Sequence, residues 1–138
     1  MTEYNLANKE KNMINKIGKI TIYVNNQEEA KNFWCNQLEF VVAFEKEMGP
    51  NMKWLEVAPK EGADTTFILY DKQLMLAQNK DANVTHPNII LSTTNLEEAH
   101  EKMKSKGVEV ADIMRMPYGS MFSFKDNDGN TYLLREDK

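Results

Sequence analysis

From Lys19 to Val24 the chain alternates with a period of two: Ile20, Ile22 and Val24 share one side, Lys19, Thr21 and Tyr23 the other. That spacing predicts a strand with one apolar and one mixed face. Asn26 follows with Glu29 three positions on, a pattern in which side-chain oxygens satisfy the free backbone donors of a helix start. Ala30, Phe33, Trp34 and Leu38 then fall on one helical face, so this helix should cover the apolar side of the strand. Three further strands are predicted over Phe40–Glu47, Met52–Ala58 and Thr65–Asp71, separated by the turn residues Gly49-Pro50-Asn51 and the stretch Pro59–Asp64.

The pattern occurs twice. The segment Ile20–Ala30, ending Asn26-Gln27-Glu28-Glu29-Ala30, returns 69 positions later as Ile89–Ala99, ending Asn95-Leu96-Glu97-Glu98-Ala99. Asn88–Thr93 reads as the second first-strand, and Asn95 with Glu98 opens a helix whose apolar stripe is Leu96, Ala99 and Met103, with Gly107 as its C-terminal cap. Strands over Val108–Arg115, Ser120–Lys125 and Thr131–Arg135 complete the copy, and Asp126-Asn127-Asp128-Gly129-Asn130 is a strong hairpin signal. The expected architecture is α+β, βαβββ twice, in one domain spanning residues 16–138, with module one at 16–77 and module two at 85–137. Two such halves are expected to enclose a shared cleft, the natural place for a small-molecule site. Residues 1–15 read as a polar extension, with Met13 as an alternative start.

Composition narrows the partners. With 138 residues, 41% of them hydrophobic, the chain suits one domain, and a formal charge of -4 leaves no basic stripe for nucleic acid or an anionic membrane. No apolar run approaches the ~18 residues of a membrane span, no signal-peptide core is expected near the start, and Cys35 alone allows no internal disulfide. A cytoplasmic, reduced setting is the expectation.

The two βαβββ units, the Asn-x-Glu-Glu-Ala helix starts and the closing Phe122–Tyr132 segment with its Asp-x-Asp-Gly-Asn hairpin resemble the vicinal oxygen chelate superfamily. That group includes glyoxalase I (lactoylglutathione lyase), bleomycin-resistance proteins, fosfomycin-resistance enzymes and ring-cleaving dioxygenases. The resemblance covers about residues 16 to 137 and implies a concave mixed sheet, often completed across a homodimer. In catalytic members a divalent ion is held by His, Gln or Glu from the first and last strands of each module. The matching positions here are Lys19, Asn88, Ile68 (or Leu69) and Leu133. An ammonium has no lone pair, aliphatic side chains cannot ligate, and one Asn is a weak donor alone. The expectation is therefore no metal and no cofactor, which leaves enzymatic activity open. His86 reads as a surface residue at the strand's mouth, sharing a face with Asn88, and remains an unexpected ligand only in company with Glu56. His100 is expected to face solvent, and Cys35 to be a spectator.

Strand parity describes the expected pocket. Lys19, Thr21 and Tyr23 face it from the first strand, Asn88, Ile90 and Ser92 from its repeat, and Thr66, Ile68, Tyr70, Thr131, Leu133 and Arg135 from the closing strands. Trp54 and Glu56 share a face, and a Glu is poorly suited to a helix-packing core. Glu56 is thus placed opposite Lys19, as an ion-pair partner or a possible general base. Matching Trp54 to Phe122 puts Phe122 and Phe124 in the cleft, or in the core if that strand is turned over. Met114-Arg115-Met116-Pro117-Tyr118 combines adaptable thioethers with a cation and an aromatic ring at the rim; Arg115 either holds an anionic group or is solvated. Two functions compete: a metal-free binding protein, homodimeric, that sequesters an apolar or aromatic small molecule, and a metal-dependent lyase, isomerase or dioxygenase of the glyoxalase I type.

Overall fold

The computed structural model describes residues 12–137, so most of the predicted N-terminal extension lies outside the described residues. The chain forms β1 (Lys19–Val24), α1 (Gln27–Asn32), β2 (Val41–Gly49), β3 (Met52–Ala58), β4 (Thr66–Asp71) and α2 (Lys72–Gln78) in its first half. The second half contains β5 (Ile90–Ser92), α3 (Leu96–Ser105), β6 (Glu109–Val110), β7 (Met114–Met116), β8 (Gly119–Lys125) and β9 (Thr131–Asp137).

Both predicted helix starts form. The Asn26 side chain accepts from the Glu29 amide at 2.9 Å, and the Asn95 side chain accepts from the Glu98 amide at 3.1 Å. The first helix departs from expectation after Asn32: Phe33–Gln37 is a π-helical turn, closed by the Leu38 amide donating to the Phe33 carbonyl at 3.2 Å. Two other differences concern elements. Asp71, read as the end of a strand, also caps α2 by accepting from the Gln73 and Leu74 amides, a helix for which the sequence predicts no element. The strand expected over Val108–Arg115 is split into β6 and β7, each pairing separately with β8.

The strands form two sheets. The first has the order β1-β4-β3-β2, and the second runs β5-β9-β8-β6 with β7 also on β8. In each sheet the first strand pairs parallel with the last strand of its module. The inner faces of both sheets meet in one core. Trp34, fully buried on the π-helical turn, lies 5.2 Å from the Phe67 ring of the first sheet and 5.0 Å from the Tyr132 ring of the second. Ile22, Leu55 and Leu69 pack into the same cluster as Phe122, Phe124 and Leu134. A second tie joins the modules at the surface, where Asp128 of the β8–β9 hairpin accepts from the Asn25 amide at 3.1 Å.

Candidate functional site

Because side chains alternate along a strand, the residues opposite the core of the first sheet make one outer face. The register sets Thr21 beside Ile68, Ile68 beside Glu56, and Glu56 beside Phe44. In a second row, Tyr23 sits beside Tyr70, and Trp54 sits across from Lys46. Tyr70 connects the two pairs, with its ring centroid 5.9 Å from Tyr23 and 6.1 Å from Trp54, both edge-on. The Tyr70 hydroxyl donates to Gln78 at the end of α2 at 3.0 Å, so the unexpected helix holds this ring in place.

The centre of the face is a polar cluster around Glu56, which is only 5% exposed. Its Oε1 accepts from Lys19 Nζ at 2.7 Å and from Thr66 Oγ1 at 2.8 Å, while Oε2 accepts from the Trp54 indole N–H at 2.8 Å. Burial by itself would raise the carboxyl, yet the hydrogen bonds from Lys19, Trp54 and Thr66 outweigh it and hold Glu56 below the ordinary carboxylate range. A carboxylate so stabilised is a weak proton acceptor. Its hydrogen bonds hold the Trp54 ring and the Lys19 ammonium in place.

The second module does not repeat this cluster. Phe122 and Phe124 are core residues, both 1% exposed, which corrects the placement of Phe122 in the cleft. Their neighbours in register, Leu134 and Tyr132, belong to the core as well, so the outward positions on β8 are Met121 and Ser123. Met121 and Ser123 therefore correspond to Trp54 and Glu56, a slip of one residue that reverses the face. Of the two readings of Arg115 the solvated one holds: its side chain is 62% exposed, it pairs in register with Ser120, on the side of Phe122, and its guanidinium donates to Glu97 of α3 rather than entering the cleft. Ile90, Leu133, Arg135, Met121 and Met114 make the outer face of the second sheet by register. Tyr118 lies beneath the Arg135 guanidinium, 5.5 Å from centroid to carbon.

Lys19, Thr21, Tyr23, Trp54, Glu56 and Ile68 thus lie together on the first sheet, whereas Ile90 and Leu133 lie on the second, with exposed Asn88 just before β5. The histidines also differ from expectation. His86 Nε2 is buried and finds no partner among the described residues, and its ring meets Tyr132 edge-on at 4.8 Å, so the half-buried side chain packs on the core instead of standing free at the surface. His100, half-buried, bonds the Ala111 carbonyl through Nε2 at 2.9 Å and packs edge-on against Phe122. Among the described residues no group of three or more His, Cys, Asp or Glu side chains could hold a metal ion. The positions that correspond to the family's ligands do not fit one either: the Lys19 ammonium is committed to Glu56, and Ile68 and Leu133 are aliphatic.

A mixed α+β fold of two βαβββ halves, with first and last strands parallel in each, defines the vicinal oxygen chelate class. The chain belongs to the Glyoxalase/Bleomycin resistance protein/Dioxygenase superfamily, whose family model matches residues 16–133. It is 39% identical over 125 residues to YetH, an uncharacterized protein of Bacillus subtilis (strain 168), covering 90% of this chain and 100% of that one. Among solved structures it is similar to TnmS3, an antibiotic binding protein from Streptomyces sp. CB03234, at 27% identity and a TM-score of 0.77 over 92% of this chain and 99% of that one. A superfamily member from Sphaerobacter thermophilus DSM 20745 is 30% identical, with a TM-score of 0.76 over 91% and 100% of the two chains.

Proposed function

We propose that this protein is a metal-independent binding protein that holds, and so sequesters, an apolar or aromatic small molecule against the outer face of its first sheet. The observation that carries this reading is the Glu56 cluster: a buried carboxylate spends its oxygens on orienting Trp54 and Lys19, next to the ring row of Tyr70 and Tyr23. Such an arrangement is preorganised for binding and leaves Glu56 without the raised pKa expected of a general base. The likeness to an antibiotic binding protein supports the same reading.

The cleft is completed, in this proposal, by a second copy that lays its second sheet over the first sheet of its partner. Phe44 and Met48 on the one face, and Ile90 and Met114 on the other, are large apolar side chains each 46% or more exposed. A homodimer would bury them. Light scattering on the purified protein should give twice the chain mass of 16.0 kDa. Calorimetric titration of chelator-treated protein with Ni²⁺, Zn²⁺, Mn²⁺ and Fe²⁺ should show no stoichiometric binding. Sub-micromolar binding of any of these would overturn the metal-free reading in favour of a lyase or dioxygenase.

A further inference from the structure

We propose that the ligand of this face is a fused-ring aromatic molecule carrying an anionic group, with Lys46 selecting the charge; this rests on the aromatic-cleft reading above. The ring row supplies the first half of the argument. Tyr23, Tyr70 and Trp54 stand in consecutive strands at spacings of 5.9 and 6.1 Å, a run too long for a single benzene ring to span and suited to two or three fused ones. Trp54 cannot swing away from that row without giving up its bond to Glu56.

Charge on the same face supplies the second half. Lys19 and Glu56 neutralise each other at 2.7 Å. The neighbouring acid on β2, Glu45, pairs in register with the core residue Leu55 and so belongs to the opposite face, where it is bound by Lys31 and Lys53. Lys46 pairs in register directly across from Trp54, and among the described residues it is the face's uncompensated charge. An ammonium beside the fixed indole attracts a carboxylate, sulfonate or phenolate on the ligand and repels a ligand ammonium.

The test compares three probes with one ring system: 2-naphthoate, 2-naphthylmethylammonium and neutral 2-methylnaphthalene, followed by quenching of Trp54 fluorescence, with Trp54→Phe assigning the signal. The carboxylate should bind about tenfold more tightly than the ammonium, since attraction and repulsion at one exposed cation each contribute a few-fold. That preference should shrink as salt is raised, vanish in Lys46→Gln and reverse in Lys46→Glu, while the neutral probe is unaffected. Equal binding of the two charged probes would overturn the charge selection and leave the aromatic reading standing. Failure of all three to bind would overturn both.

Discussion

Trp54 and Glu56 sit two residues apart on one strand, and the indole N–H of the first donates to the carboxylate of the second at 2.8 Å. Both side chains are thereby held on the outer face of the first sheet, the carboxylate anchoring the ring. Because Glu56 is ionised and bonded in the fold, its depressed pKa ties stability to pH. The unfolded carboxylate takes up its proton at a higher pH than the folded one, so the contribution is complete above the ordinary value of 4.5 and is lost as pH falls through the folded value. Glu56→Gln should destabilise the protein by about 1–2 kcal/mol at pH 7. Urea unfolding at a series of pH values should show that gap closing in acid; a gap independent of pH would refute the assignment.

His86 also makes stability fall as pH falls, but here the parent side chain is the destabilising one. Burial depresses its imidazole, with the charge of Asp126 opposing the effect, and its Nε2 finds no partner among the described residues. Below the ordinary value of 6.5 the unfolded chain binds a proton that the folded chain resists, so His86 lowers stability as pH falls through that range, by at most about 1.4 kcal/mol per pH unit. His86→Phe keeps the ring against Tyr132 and removes the orphaned nitrogen. Thermal melts should show the variant equal to or more stable than the parent at pH 7.5, with its advantage growing toward pH 5.5.

Tyr132 is a core residue with a polar tip. Its hydroxyl donates at 2.8 Å to Asp126, which also accepts from the Asp128 and Asn130 amides and so organises the hairpin. Tyr132→Phe leaves the ring contact with Trp34 intact and strips one donor from a buried carboxylate. The expected loss is about 1–2 kcal/mol in denaturant unfolding.

Gly119 opens β8 with φ of +157°, and a Cβ there would lie 2.9 Å from the Glu136 carbonyl oxygen of β9. Backbone cannot yield as a flexible side chain does. Gly119→Ala should therefore cost about 1–3 kcal/mol and disturb the Tyr118–Arg135 contact, which amide chemical shifts along β9 would report.

How far the site could be read from the chain depended on which signal each residue carried. The Lys19–Glu56 pairing was legible because alternation placed both on the face opposite Ile22 and Leu55, and a carboxylate is costly in a core. Phe122 was ambiguous because an aromatic residue satisfies core and cleft equally, and aligning it with Trp54 rather than Leu55 reverses every side chain on the strand. Arg115 was legible as a solvated rim residue, but its partner Glu97 stands 18 positions away on α3, and no local pattern encodes that pairing. Sequence proximity to Pro87 made His86 look superficial, whereas its ring packs on Tyr132 and is half-buried. The helix over Lys72–Gln78 had a cap at Asp71 and three apolar residues in Leu74-Met75-Leu76, a signal too short to separate from linker without Tyr70 reaching Gln78.

The bond between the Asn25 amide and Asp128 spans 103 residues of sequence. During synthesis the first module is out of the ribosome long before its partner in this bond exists, and Trp34 must likewise wait for Tyr132 before its indole is enclosed. The nascent first half therefore carries an unsheltered tryptophan and an open inner face until the final hairpin emerges. A nascent chain ending before the Asp126–Asn130 hairpin still lacks β9 and Tyr132, leaves the core open and is prone to aggregation until that last strand is made.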